Sequence, residues 1–238
     1  MKDKLLGLLP YLCILVLIPG VIAGGVLLFP DRSYAWIALS VAILSFLPLV
    51  VRFEQKRRAV QELVVLAVLS ALSALSRVMF VWIPSIKPSA AVIIIVAIYL
   101  GKEAGFIVGS MTALISNFYF GQGLWTPFQM ISWGLVGFLA GILANPLRRH
   151  MVLLLIYGFV AGFVYSMVMD LWSVLWMDNA LNLSRYFSTV LLSMTVTVKY
   201  AISNVIFLIP SWFLGRILGR LQTKYGLFPK KKKACPGN

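Results

Sequence analysis

The amino-acid sequence predicts an all-α membrane protein of eight helices, and three observations carry that reading. Apolar residues make up 61% of the chain and the mean hydropathy is +0.95, whereas soluble domains are about 45–50% apolar. The apolar residues fall into eight runs, at 10–29, 34–51, 60–83, 89–101, 104–120, 127–145, 151–177 and 190–215. The breaks between them carry turn formers and most of the charge.

Each run has its own justification. The first, Pro10 to Phe29, has the roughly 20 residues a spanning helix needs and no small-residue cleavage site, so it is not a removable leader. Pro30-Asp31-Arg32 separates it from the second run, which ends in the basic group from Arg52 to Arg58. The third run stops at Pro84 to Pro88. The fourth is about a dozen residues, too short to cross a bilayer unaided and better suited to lining a cavity. Gly101-Lys102-Glu103, Gly121-Gln122-Gly123, Asn145 to His150 and Asp178 to Arg185 bound the remaining four. This divides the chain into an N-terminal hairpin with its basic loop (1–58), a six-helix membrane core (59–221) and a basic tail (222–238). The KKKKACPGN ending suits an anchor against anionic lipid.

The net charge is +14. In a soluble protein such basicity would point to nucleic acid; in a membrane protein it reads as the excess of Lys and Arg in cytoplasmic loops. With the N-terminus inside, 16 of the 21 basic residues are cytoplasmic, against Arg32, Lys87 and Arg185 outside. The bias predicts both termini on the cytoplasmic side of the cell membrane and an even number of spans. Cys13 and Cys235 imply no disulfide framework.

SNFYFGQGLWTPFQMISWG, residues 116–134, then falls at the extracellular face. It sets Asn117, Gln122 and Gln129 among Phe118, Tyr119, Phe120, Trp125, Phe128 and Trp133. Six of the seven tryptophans map to the outer half, more than an interfacial belt requires.

Three charges interrupt the apolar runs: Arg77, Asp170 and Lys199. An ionisable group at membrane depth costs several kcal/mol unless it faces a partner or water, so each is a candidate site residue. Asp170 can pair fully with Arg77 or with Lys199, not both, and the remaining cation then calls for an anionic or strongly polar ligand. Gly158, Gly162, Ser166 and Asp170 form one four-residue stripe; Gly105, Gly109, Ala113 and Asn117 form another; Thr195, Lys199 and Ser203 a third. Small residues at this spacing serve close helix packing, and the polar outer ends of the stripes predict the floor of an outward-open pocket. Arg77, Lys87, Asn117, Gln122, Trp125, Gln129, Trp133, Asp170 and Lys199 are the expected substrate-binding set. On the third run Ala67, Ala71 and Ala74 invite close approach by a helix, whether internal or from a partner.

Absences narrow the chemistry. There is no G-x-x-x-x-G-K-[ST] loop for ATP phosphates. The single histidine, His150, stands beside Arg148 and Arg149 in a cytoplasmic loop, away from any metal cluster or nucleophile. No catalytic residue, metal or cofactor is expected, and the chain does not read as an enzyme.

From Gln61 to about Leu221 the chain resembles the substrate-binding S components of energy-coupling factor (ECF) transporters. The Ala67-xxx-Ala71 strip looks like the family's docking strip. The run GFIVGSMTALISNFYFGQGLWTPFQMISWGLVGFLAGIL looks most like members assigned to cobalamin uptake. The resemblance implies a six-helix S-component bundle, preceded here by the hairpin, that binds a vitamin outside. It also implies toppling on a scaffold subunit driven by two cytosolic ATPases, with Ala67, Ala71 and Ala74 docking there. Cobalamin is the first choice of ligand. Riboflavin or a queuosine precursor is the alternative within the family, and an autonomous secondary carrier using Asp170 and Lys199 the alternative outside it.

Overall fold

The computed structural model describes residues 9–28, 34–55, 59–178 and 181–225, and among these every regular element is helical. The basic tail with Lys230 to Lys233, the N-terminal Lys2 and Lys4, Arg32 and the loop residues Lys56, Arg57 and Arg58 lie outside the described residues. A π-helical turn, Cys13–Leu17, leads into α1 (Ile18–Leu28). Pro19 explains the widening, because its ring collides with the Leu15 carbonyl of a regular α-helix. Then follow α2 (Tyr34–Gln55), α3 (Ala59–Met79), α4 (Ser89–Leu100), α5 (Lys102–Phe120), α6 (Thr126–Ile142), α7 (Ala144–Arg149), α8 (Met151–Asp178) and α9 (Leu183–Tyr225).

The architecture is a helix wrapped by helices. All of α4, SAAVIIIVAIYL, is buried, as a segment apolar on every face must be. It packs against α9, α6, α5, α3 and α8. Twelve residues rise roughly 18 Å, short of a hydrocarbon core of about 30 Å, so α4 depends on its neighbours for cover at both ends. Three helices are long and apolar enough to cross a membrane by length and composition: Val60–Met79 within α3, then α8 and α9. Their outward faces show Val64, Val68, Leu72, Phe159, Leu191, Leu192 and Phe213, all exposed, which is the surface a bilayer solvates.

Two seams hold the bundle. Along α5 and α6 the glycines interlock: a Cβ on Gly109 would overlap the Trp133 carbonyl, and one on Gly137 would overlap the Gly105 carbonyl. Ser110 donates to the Met130 carbonyl across the same seam at 3.1 Å. Along α8 and α9, Gly162 lies against the Ala201 backbone and Gly158 against Leu208, and the Asn204 amide donates to the Gly158 carbonyl at 3.0 Å. Such close approach is how helices associate without a hydrophobic driving force. The hairpin packs chiefly through α2 on α6. It is tied at one end by Tyr11, which donates to Glu103 Oε1 at 2.6 Å and lies under the Lys102 ammonium.

Two elements depart from the sequence expectation. The stretch 145–150, expected as a break, contains the helix α7, whose ANPLRR sequence is polar but starts from a proline-compatible first turn. The last helix runs 43 residues, well beyond 190–215, because it continues past both edges of the apolar run.

Candidate functional site

A cavity of about 380 Å³, counting the open solvent at its mouth, lies at the end of the bundle that carries the 80–88 and 121–125 loops. Its lining comes from α3 (Arg77), the 80–88 loop (Lys87), the first turn of α4 (Ser89, Ala90), α6 (Trp133, Val136), α8 (Ala161, Gly162, Tyr165) and α9 (Tyr200, Asn204). The short helix α4 makes the room: it starts only at Ser89, so the space above its N-terminus is left to side chains from the longer helices.

Arg77 dominates the site. Its guanidinium sits 4.3 Å from the Phe120 ring centroid and 5.0 Å from that of Trp133, a cation–π arrangement that stabilises a cation out of water. Nη1 donates to Ser116 Oγ at 2.6 Å and Asn117 Oδ1 at 2.9 Å. Its other N–H groups meet no acceptor among the described residues. Lys87 approaches the same Phe120 ring, with Nζ 5.9 Å from the centroid. Its ammonium donates to the Phe80 carbonyl at 2.5 Å, and its backbone N–H and C=O both meet Ser203 Oγ on α9. Burial, and then the Arg77 charge, hold the Lys87 ammonium below the usual lysine range.

Beneath the cations a relay of amides links four helices. Asn117 Nδ2 donates to Thr126 Oγ1 at 3.0 Å and Gln129 Oε1 at 2.8 Å. Gln129 Nε2 donates to the Tyr165 hydroxyl at 3.0 Å. Tyr165 stacks on Trp133 with centroids 5.4 Å apart and meets Tyr200 edge-on at the same separation. Asn117 and Gln129 thus have both ends of their amides occupied by protein, which makes them positioning groups for Arg77 and Tyr165. Gln122 is spent locally, donating to the Leu114 carbonyl and accepting from Thr126 Oγ1. Trp125 folds back over Gly123 at the exposed rim, where any Cβ would collide with its ring.

The remaining expected site residues go elsewhere. Asp170 pairs with neither cation; its carboxylate accepts from Ser193 Oγ at 2.7 Å on the early part of α9. Lys199 stands six residues after Ser193, about two-thirds of a further turn around the helix, and is exposed on the outside of the bundle. The inward stripe of α9 is Ser193, Thr197, Ala201, Asn204 and Leu208, not Thr195, Lys199 and Ser203 taken together; of those three, Ser203 alone is buried. Ala67 and Ala71 are exposed, whereas Ala74 is 3% exposed and faces into the bundle. Sequence reasoning passed over Tyr165, Tyr200 and Asn204. Their signal was a hydroxyl or amide set in mid-helix within an apolar run, on the same terms that singled out Asn117.

A short buried helix sheathed by longer apolar ones, with a cavity lined by cations, rings and an amide at one end, defines a class: membrane helix bundles with a pocket between their helices. A family model described as ECF-type riboflavin transporter, S component, matches residues 57–210. That span is more than half of the chain, and the protein belongs to this family, a transporter's substrate-binding subunit. Proteins of this kind bind a vitamin-type substrate and work with scaffold and ATPase subunits. No curated protein and no solved structure matches the chain.

Proposed function

We propose that the core, 59–221, captures a compact ring-bearing vitamin in the Arg77–Lys87–Trp133 cavity and delivers it on a scaffold subunit powered by separate ATPases. The observation that carries the reading is the cavity itself: two cations, three stacked or edge-on rings and a few placed hydroxyls and amides, between helices of a membrane bundle. Ligand sites combine apolar walls with a few oriented polar groups in this way. The bias of basic residues supports an outward-facing mouth, with both termini cytoplasmic.

Cobalamin, favoured by the 105–143 resemblance, fits this cavity less well than a flavin-sized ligand. Even counting the open solvent at its mouth the cavity measures about 380 Å³, and a corrin ring with its nucleotide arm is much larger than a tricyclic flavin. The family's own description names riboflavin. An autonomous carrier using Asp170 and Lys199 loses support, since the two residues share no bond and Lys199 faces away. Titration calorimetry of the purified chain with riboflavin, cobalamin and a queuosine precursor tests the choice. A flavin-sized ligand binding tightest is the expected outcome; cobalamin binding tightest would overturn it.

For docking, exposed Ala67 and Ala71 on α3 suit close approach by a scaffold helix, and buried Ala74 does not. Ala71→Trp should abolish ATP-driven uptake in the assembled transporter while leaving ligand affinity of the solitary chain unchanged. Loss of affinity as well would assign the strip to internal packing.

A further inference from the structure

We infer that the ligand of this cavity carries an anionic group, a carboxylate or a phosphate ester, received between Arg77, Lys87 and Tyr200. The inference rests on the reading of the cavity as the substrate site and goes beyond it, because riboflavin, which the family's description names, is neutral.

The charge balance points that way. The chain has seven acidic residues. Asp3 and Asp31 lie outside the described residues, and the Glu54 side chain is likewise undescribed. Glu62 and Glu103 stand in the first turns of α3 and α5, whereas Arg77 is in the last turn of α3, at the opposite end. Asp170 is engaged by Ser193, and Asp178 pairs with Arg185 at 2.8 Å. None of the described ones lines the cavity. Among the described residues, two cations therefore share one ring and one small space with no carboxylate between them.

Structural duties account for only part of these groups. Arg77 uses one nitrogen on neutral acceptors, and neutral oxygens do not balance a buried charge. A guanidinium fork with unused N–H groups matches the two oxygens of a carboxylate or phosphate. Lys87 caps the carbonyls of Phe80 and Ile83, which orients its ammonium at the solvent-facing wall of the cavity. Tyr200 lines the cavity, and its hydroxyl makes no hydrogen bond among the described residues, so it is available to donate. The first turn of α4 opens on the same space through Ser89 and Ala90, and a helix N-terminus adds partial positive charge of the same sign. Trp133 and Tyr165 then leave an aromatic wall for the ligand's body.

The test uses the full chain purified in detergent. Its melting temperature is followed in sodium chloride, acetate and phosphate at matched ionic strength, for wild type, Lys87→Gln and Arg77→Gln. The expected result is that acetate or phosphate raises the wild-type melting temperature at least twice as much as chloride does, and that the excess disappears in Lys87→Gln. Whichever of the two anions acts more strongly marks the ligand as carboxylate or phosphate ester. An equal response to all three salts, or an excess that survives in Lys87→Gln, would overturn the inference. Arg77→Gln carries the risk of misfolding because Arg77 also holds Ser116 and Asn117, so Lys87→Gln, in a loop, is the deciding variant. A second arm compares riboflavin with riboflavin 5′-phosphate. If the anion response is seen and no vitamin of the panel binds, the anion site stands and the vitamin reading fails. If neutral riboflavin binds wild type and Lys87→Gln equally and no anion response is seen, the vitamin reading stands and the anion site fails.

Discussion

Two stripes of small residues, Gly105-Gly109-Ala113-Asn117 on α5 and Gly158-Gly162-Ser166-Asp170 on α8, have the same spacing and the same polar ending. In the folded chain they are both packing seams, α5 on α6 and α8 on α9. Their endings differ entirely. Asn117 comes out of its seam where α3, α6 and the 121–125 turn meet, so it accepts from Arg77 and donates to Thr126 and Gln129. Asp170 comes out against α9, where its carboxylate takes a hydrogen bond from a single serine hydroxyl, Ser193. A small-residue stripe thus specifies which helices touch; what its polar end does depends on how many other elements converge there.

The largest effect expected from this difference is in the seams themselves. At Gly109 the colliding atoms are backbone, which cannot move aside, so Gly109→Val should destabilise by about 3 kcal/mol or more. At Gly158 the first atom met is the terminal methyl of Leu208, a flexible neighbour. Gly158→Ala should therefore cost only about 1 kcal/mol. Thermal unfolding in detergent compares them, and equal losses would remove the distinction between these two glycine positions.

A smaller effect is expected at the polar ends. Asn117→Leu leaves a donor on Arg77 and an acceptor on Gln129 without partners, a loss of about 2–3 kcal/mol. Asp170→Asn keeps an acceptor for Ser193 and should lose no more than about 1 kcal/mol. Unfolding midpoints of the two variants check the order, and a larger loss at Asp170 would show that its carboxylate carries a partner beyond Ser193.

The membrane bundle was legible in the sequence because apolar runs and their proline, glycine and charged breaks report helix existence directly. Burial of α4 was foreshadowed by its length, since so short an apolar helix needs cover. Facing was the hard part. A helix apolar all round gives no amphipathic signal, so Thr195, Lys199 and Ser203 looked like one inward stripe although Lys199 points out. A polar residue in such a helix need not face the interior, because a long side chain lies along apolar surface and carries its charge toward polar surroundings. The helix α7 was hidden for the converse reason, because ANPLRR reads as a charged loop. Within 116–134 the amides were visible as candidates; that they would be saturated by one another, while Arg77, Lys87 and the tyrosines line the cavity, depended on a tertiary meeting of four helices.

The most direct measurement is the affinity of the tightest-binding vitamin of the panel for four single variants of the purified chain. Trp133→Ala and Tyr200→Ala remove cavity walls, while Asp170→Asn and Lys199→Met alter the charges that the fold places elsewhere. The cavity account predicts at least tenfold weaker binding for the first two and affinities within twofold of wild type for the others. Unchanged binding in Trp133→Ala and Tyr200→Ala, with loss in Asp170→Asn or Lys199→Met, would contradict it.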